Sequence, residues 1–141
     1  MSSQLALGSA LYSRLSGTAL GTLLAGGTAA PAIFHEQAPD GQVLPYVIFS
    51  YPSEVDDNSS PRRLKDIVIR CYAVALNDAQ AGTIDACIDT LLYRNPLGSA
   101  GGWKNIRLQR ENGYQLITTS EAGIRYYTSG ADYRAEITTS L

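Results

Sequence analysis

The chain has 141 residues, of which 45% are hydrophobic and 17% are charged, with 11 Lys and Arg against 13 Asp and Glu. This length fits one domain with one hydrophobic core. The near-neutral charge balance argues against a nucleic-acid-binding protein, which would usually carry a basic excess or a clustered basic face.

The N-terminal segment predicts an amphipathic helix over about 3–15. Its apolar stripe consists of leucines that lie four residues apart: Leu7, Leu11 and Leu15. Gly17 ends this helix, and Thr18 can cap a short second turn before the next pair of glycines. Helical structure is therefore expected to open the chain.

Nothing in the sequence predicts export or insertion into a membrane. The first residues are rich in Leu and Ala, but they lack a cationic segment and are interrupted by Arg14, unlike a signal peptide. No apolar run approaches the roughly 20 residues that span a bilayer. Cys71 and Cys87 have neither the number nor the spacing of a disulfide framework or zinc site. We expect buried free thiols and a protein made in the cytoplasm.

Strand signals follow the helical region. Residues 32–35 and 46–51 predict the two strands of a β-hairpin, joined through the turn at Pro39-Asp40-Gly41. The polar segment 52–63 predicts an exposed loop. Residues 64–75 form the longest predicted strand, and they alternate between an apolar face and a mixed face. Such a strand suits a sheet that is covered by helices on one side.

A second helix is predicted from Asn77 or Asp78 to about Arg94. It has apolar residues at helical spacing, namely Ile84, Cys87, Ile88, Leu91 and Leu92. Gly98–Gly102 predicts a flexible link. Four short strands are predicted beyond it: Trp103–Arg110, Tyr114–Thr119, Ile124–Thr128 and Asp132–Thr139. Asn112-Gly113 is a typical hairpin turn between the first two.

These elements predict one α+β domain over residues 1–141. We expect an antiparallel-dominated mixed sheet of about four to six strands, with two main helices packed on one face.

No constellation of reactive side chains points to an enzyme. The single histidine, His35, lies on a predicted strand, where a structural or surface role is commoner than a catalytic one. Asp85 and Asp89 lie four residues apart, but on the helix face that is predicted to be solvated. Asp56-Asp57-Asn58 lacks the glycine and the glutamate of a calcium loop, and no P-loop lysine follows the N-terminal glycines. We expect no catalytic residue, cofactor or metal.

Two features favour contact with partners. The first is the set of tyrosines in the C-terminal strands: Tyr114, Tyr126, Tyr127 and Tyr133. Tyrosine is enriched at interfaces, although these residues could equally fill a sheet face. The second feature is the 52–63 loop, which could complement the same loop of a neighbouring copy or simply be solvated. Its candidate residues, with the lysine that follows, are Glu54, Asp56, Asp57, Arg62, Arg63 and Lys65.

Several segments together follow the order and spacing of a known family of proteins. They begin with Ile33-Phe34, Ala38-Pro39-Asp40-Gly41 and Leu44-Pro45-Tyr46-Val47-Ile48-Phe49. They continue through the leading helix, the strand Asp66–Val74, the helix after it, and the closing Tyr126-Tyr127 and Asp132-Tyr133-Arg134. Together they resemble the tail terminator (tail completion) proteins of long-tailed bacteriophages. The resemblance covers most of the chain, but Gly98–Gly102 and Asn112–Gly123 do not match it.

The resemblance implies a structural virion protein without catalytic activity. Such proteins form a homo-hexameric ring that caps the head-proximal end of the tail tube, stops its polymerisation and offers a surface for head attachment. The implied partners are the chain itself, the tail tube protein and a head-side connector or neck protein. DNA would only pass through the ring lumen, and no membrane is involved. The protein would be found in the virion tail and, during assembly, in the host cytoplasm.

A closed ring of identical copies requires two different patches on each copy. The C-terminal tyrosine strands and the charged loop are the candidate patches, and we expect that replacing Arg62 and Arg63 with Glu impairs ring assembly. One alternative is another neck component, such as a head-closure protein or connector adaptor. A small ligand-binding or enzymatic α+β domain would instead have a concave pocket with convergent polar groups. A nucleic-acid-binding module would have a continuous basic face.

Overall fold

The computed structural model describes residues 2–57 and 64–139, with Asp57 described by its backbone alone. Its elements are α1 (Ser3–Leu15), α2 (Thr18–Gly21), β1 (Ile33–His35), β2 (Tyr46–Asp57), β3 (Leu64–Ala75), α3 (Asp78–Leu92), β4 (Gly98–Ala100), β5 (Trp103–Thr119) and β6 (Arg125–Thr139). The strands form a six-stranded sheet in the order β1-β2-β3-β6-β5-β4. β1 and β2 are parallel, and the other neighbouring pairs are antiparallel. The predicted α+β class is confirmed.

The two longer helices cover one face of the sheet, as the periodicity predicts. Each begins at a side-chain cap: Ser2 accepts a hydrogen bond from the Leu5 amide at 3.1 Å, and Asn77 accepts one from the Gln80 amide at 2.7 Å. The apolar stripes of both helices and the apolar face of β3 share one hydrophobic core. This core includes Leu7, Leu11 and Leu15 of α1, Ile84, Ile88 and Leu92 of α3, and Ile67, Ile69 and Cys71 of β3.

Arg14 joins the two longer helices. Its guanidinium donates hydrogen bonds to the carbonyl oxygens of Leu91 at 3.1 Å, Asn95 at 2.8 Å and Pro96 at 3.0 Å. The last carbonyls of a helix lack partners within the helix and carry partial negative charge. The charge that interrupts the apolar N-terminal sequence therefore fixes α1 against the end of α3.

The predicted hairpin after the N-terminal helices is wrong. β1 lies parallel to β2, with Ile33 opposite Val47 and His35 opposite Phe49. The predicted turn exists, because the Gln42 amide donates to the Pro39 carbonyl at 3.1 Å. However, the segment around this turn carries the chain back to the end of the sheet where β1 begins. Two strands that start at the same end must run in the same direction.

The predicted hairpin turn at Asn112-Gly113 is also wrong. Both residues lie inside β5, where Asn112 is opposite Asp132 and Gly113 is opposite Ala131. A register shift between Arg110 and Asn112 absorbs an extra residue, as a β-bulge does. Long pairing with β6 therefore overrides the local turn preference. β6 is likewise one strand rather than two, and the chain reverses between β5 and β6 at 120–124.

Two segments that were predicted to be flexible contain β-strand residues. Gly98–Ala100 forms β4 and pairs with the start of β5. The first part of the predicted loop, 52–57, continues β2 and pairs with β3 as far as Asp57 opposite Leu64. Composition misled the prediction, because strand pairing uses the backbone and tolerates side chains that are polar on both faces. Residues 58–63 lie outside the described residues.

Candidate assembly surfaces

The sheet face opposite the helices, called the open face below, is formed by alternate residues of the four central strands. Its members include Tyr46, Ile48, Arg70, Tyr72, Tyr114, Tyr126 and Asp132. The opposite set of β3 residues points into the core, so the strand alternation itself determines which side chains reach this face. Most of these side chains are partly exposed.

Two tyrosines of the open face meet across a glycine. Tyr72 and Tyr114 flank Gly130 on the neighbouring strand, and their ring centroids lie 5.5 Å apart. A Cβ at Gly130 would collide with the Cys71 carbonyl and the Tyr72 Cα. Burial, and then the neighbouring Tyr114, raise the pKa of the Tyr72 hydroxyl. The glycine therefore lets the strands approach closely enough for an aromatic pair to form above it.

Charged side chains on the same face are paired within the chain. Arg70 donates two hydrogen bonds to the Asp132 carboxylate, at 2.9 and 3.3 Å, and lies 4.9 Å from the Tyr114 ring centroid. Arg134 forms ion pairs with Glu111 and Asp66. These cross-strand pairs neutralise charge locally, so the described residues of this face do not form the continuous basic surface of a nucleic-acid-binding module.

A groove lies between the open face and the 36–45 connection. Its volume is about 540 Å³, and its lining includes Tyr46, Tyr72 and Tyr126. Burial raises the pKa of Tyr46 and of Tyr72, with smaller contributions from neighbouring tyrosines. These hydroxyls therefore remain protonated near neutral pH and are unsuited to act as general bases.

The predicted charged site is partly assembled, but within one chain. Lys65 lies 2.8 Å from the Glu54 carboxylate and 3.7 Å from Asp56. Ser3 and Gln4 at the start of α1 also donate hydrogen bonds to Glu54, each at 2.9 Å. The hydrogen bond from Lys65 is the largest cause of a lowered pKa of Glu54. This cluster ties the β2–β3 hairpin to α1.

For the remaining charged candidates, Asp57, Arg62 and Arg63, the structure describes no side-chain position. The backbone of Asp57 lies opposite Leu64 at the end of the β2–β3 pairing. Arg62 and Arg63 lie outside the described residues, so the two-arginine hypothesis stays a prediction.

The four tyrosine candidates divide between the two sheet faces. Tyr114 and Tyr126 lie on the open face, whereas Tyr127 and Tyr133 point to the helix side. Tyr133 is fully buried, and its hydroxyl donates to Asp89 at 3.0 Å. Its proposed role as a contact residue is wrong in this conformation, since it fills the core.

The predicted solvated position of Asp85 is also wrong. Its side chain is 14% exposed, and it lies 3.4 Å from Arg110, which is also 3.4 Å from Asp89. Ser129 donates a further hydrogen bond to Asp85 at 3.2 Å. One guanidinium thus holds both carboxylates and locks α3 onto the sheet.

His35 lies in an aromatic group at the side of the sheet. Its ring stacks on Phe49 with centroids 5.2 Å apart, and Tyr51 lies at the same distance. These rings line a groove of about 400 Å³ against Leu5 and Gly8 of α1. The half-exposed histidine is therefore one wall of an apolar groove.

The two thiols differ in burial. Cys71 is fully buried, and burial raises the pKa of its thiol to about 12. Cys87 is partly buried. The prediction of a buried free thiol is confirmed for Cys71, which is unreactive at neutral pH because the thiol and not the thiolate is present.

Sequence reasoning missed much of the open face. Arg70 and Tyr72 lie on the mixed side of the predicted 64–75 strand, and that alternation was a usable signal. Asp132 and Gly130 could not be chosen, because their importance comes from cross-strand partners far away in sequence. Within residues 2–57 and 64–139, no group of three His, Cys, Asp or Glu side chains could hold a metal ion. In the same residues no helix is long and apolar enough to cross a bilayer.

These features define a small α+β protein whose prominent surfaces are a sheet face, strand edges and shallow grooves. The tail completion protein gp17 family matches residues 9–138, and the chain belongs to that family. It is thus a structural tail protein and a component of a phage virion.

Solved structures share the fold. A chain of the virion of a native gene transfer agent particle superposes with a TM-score of 0.64 at 19% identity, covering 96% of each chain. A second structure has a TM-score of 0.57 at 15% identity, covering 100% of this chain and 97% of the other. No curated protein matches the sequence significantly.

Proposed function

We propose that this chain is a tail terminator. Copies of it form a ring that caps the head-proximal end of the tail tube, stops further polymerisation and provides the surface to which the head attaches. The observation that carries this proposal is the match to the tail completion protein gp17 family over residues 9–138. Its activity is then contact between surfaces, with no covalent chemistry.

The two long hairpins support a role between two different partners. The β2–β3 pairing ends at Asp57 and Leu64, beside Thr138 near the end of β6. The β5–β6 hairpin closes after Thr119 and before Arg125, at the opposite end of the sheet. One copy thus presents different hairpins in opposite directions, as a subunit between a tube and a head requires.

Deletion of the gene in the parent phage tests the proposal, with electron microscopy of the lysate. Overlong tails without heads are the expected result, because an uncapped tube would continue to grow. Supplying the wild-type gene from a plasmid should restore tail length. Tails of normal length beside heads that leak DNA would instead indicate a head-side connector. Intact virions would overturn both assignments.

A further inference from the structure

The described sheet has two stretches of strand edge that no described strand covers. β1 lies beside β2 as far as Phe49, which leaves the edge from Ser50 to Val55 open. β4 lies beside β5 as far as Asn105, and the Arg94 amide after α3 donates to the Leu108 carbonyl at 3.0 Å, which leaves the edge from Gln109 to Thr119 open. A row of unpaired backbone donors and acceptors is a template for another strand. Both edges therefore offer backbone groups to an added strand, with Pro52 and the register shift between Ser50 and Ser53 limiting the number of hydrogen bonds on the first.

The two edges have the strand directions that pairing between copies requires. The strands from β2 through β3 and β6 to β5 alternate in direction, so β5 runs opposite to β2. A second copy that continues the sheet in the same orientation brings its β5 antiparallel to β2 of the first. Antiparallel neighbours can then exchange backbone hydrogen bonds along the shared edge.

The charges near the two edges do not select the contact. Glu54 and Asp56 of β2 lie on the helix side and pair with Lys65 of the same chain, whereas Lys104 and Arg107 of β5 lie on the open face. The choice of partner strand therefore rests on strand direction and on the apolar groove described next. A β2–β5 contact joins two different edges of the chain, which is the head-to-tail kind of contact that closes into a ring.

An apolar groove lies directly beside the open edge of β2. Phe49 and Tyr51 of that strand line it together with Leu5 of α1, whose side chain is largely exposed. A strand that adds to a sheet edge places alternate side chains on each side of the sheet, where pockets can receive them. On β5, Ile117 is 62% exposed and lies on the helix side, opposite Tyr127. It has the position and the chemistry to fill this groove.

We propose that neighbouring copies join edge to edge, with β5 of one copy antiparallel to Ser50–Val55 of the next and Ile117 in the groove. This proposal rests on the proposed ring and specifies the contact that closes it. The partner is a second copy of this chain. The sheets of successive subunits then form one continuous sheet around the ring.

Disulfide trapping in assembled particles tests the contact. Val55 is 58% exposed and lies on the open face, as do Gln109, Asn112 and Leu116 of β5. In a Cys87→Ser background, one variant carries Val55→Cys and the other carries Gln109→Cys, Asn112→Cys or Leu116→Cys. Cells infected by the deletion phage supply both variants, and purified particles are oxidised and run on a non-reducing gel. Disulfide formation requires Cβ atoms about 3.5–4.5 Å apart, so the three β5 positions scan the register.

A disulfide-linked dimer should form in particles made from a mixture of the two variants, and not from either variant alone. Leu76→Cys is the matched control for Val55→Cys, because Leu76 is 55% exposed but lies beyond the end of β3. It should give no dimer with any β5 variant. A dimer from Val55→Cys alone would overturn the proposal in favour of a two-fold contact.

A second pair of variants separates loss of the contact from loss of folding. Ile117→Asp should reduce incorporation into particles by about tenfold or more, since a buried interface anchor commonly contributes over 1.4 kcal/mol. Val43→Asp is the control, because Val43 is 69% exposed in the 36–45 connection outside the proposed pairing. Both purified variants should have wild-type circular dichroism spectra. Equal incorporation of the two would overturn the role of Ile117.

Failure of the edge contact and failure of the terminator role give different results. If the protein is present in particles and its deletion lengthens tails, but no mixture forms a dimer, the edge pairing is wrong and the terminator role stands. If deletion leaves tails normal in length, the terminator role fails whatever the gel shows.

Discussion

Gly130 is the residue at which the sheet has least room. An added Cβ would meet backbone atoms of β3, which cannot move aside without breaking the central pairing. We predict that Gly130→Ala lowers the free energy of unfolding by about 2–3 kcal/mol, the upper part of the range for overpacked sites. Urea denaturation followed by circular dichroism measures the change.

Gly113→Ala is the matched control for that substitution. Gly113 lies on the adjacent β5 strand, and the nearest atom to an added Cβ is a flexible arginine nitrogen at 4.0 Å. Its midpoint should shift little or rise slightly, because alanine restricts the unfolded chain more than glycine does. If both variants were destabilised equally, a steric clash of the added Cβ would not explain the effect at Gly130.

Glu54 should make stability depend on pH. Hydrogen bonding from Lys65 lowers its pKa below the ordinary value of 4.5 in the folded state. A carboxylate with a lowered folded pKa stabilises the protein above its unfolded pKa, and this contribution is lost as the pH falls through the folded value. Between about pH 6 and about pH 3, the wild type should lose more stability than Glu54→Gln. Thermal melts across this range measure the difference, and the exposed Glu121→Gln should follow the wild type.

At the scale of single residues, the sequence indicated which residue types suit an interface but not which face of the sheet each residue occupies. The tyrosines were chosen as a group because their composition is typical of interfaces, yet Tyr114 lies on the open face and Tyr133 lies in the core. Which face a strand residue occupies depends on the register, and the bulge after Arg110 shifts the register within β5. No local signal encodes that shift.

At the scale of elements, the attachment of α1 depends on one side chain. Arg14→Met keeps much of the aliphatic length but removes the three hydrogen bonds to the carbonyls after α3. We predict a loss of about 1.5–3 kcal/mol in the free energy of unfolding, as is usual for hydrogen bonds to charged groups. The measurement is the urea midpoint, compared with that of Arg125→Met on the exposed hairpin. A midpoint for Arg14→Met no lower than that control would contradict the role of Arg14.

The helices were predicted to within about two residues, whereas the strands were not. α1 and α3 are encoded locally, by a side-chain cap and an apolar stripe within each segment. The ends of a strand depend instead on the length of its partner. Asn112-Gly113 satisfies every local criterion for a turn, but its backbone is paired with β6 and remains extended. The polar end of β2 is extended for the same reason.

At the scale of the whole molecule, stability should differ between the centre of the sheet and the β5–β6 hairpin. The middle of β3 is paired on both sides, and its Ile69 and Cys71 are fully buried, whereas 116–119 and 125 lie at the exposed end of the hairpin. Amide hydrogen exchange should be slowest around Ile69 and Cys71 and much faster around Ile117. Protection at Ile117 that rises only in assembled particles would place that strand in a contact. Equal protection in the free protein would contradict this gradient.

The fold class was predictable from the sequence, but the direction and order in which the strands are connected were not. Helices on one side of an antiparallel-dominated sheet follow from the patterns of α1, β3 and α3. The parallel placement of β1 was not predictable, because a short apolar strand before a turn has the same sequence pattern whichever way the chain returns. The returning segment, 36–45, also forms one wall of the groove of about 540 Å³ on the open face.

The two hairpins give the molecule unlike ends. The end formed by β2 and β3 contains the acidic Glu54 and Asp56, and the end formed by β5 and β6 displays the apolar Leu116 and Ile124. Inverting a subunit would therefore put an apolar end where a charged end had been. In the proposed ring, partners above and below a subunit would therefore meet different chemistry, and an inverted copy would match neither of them.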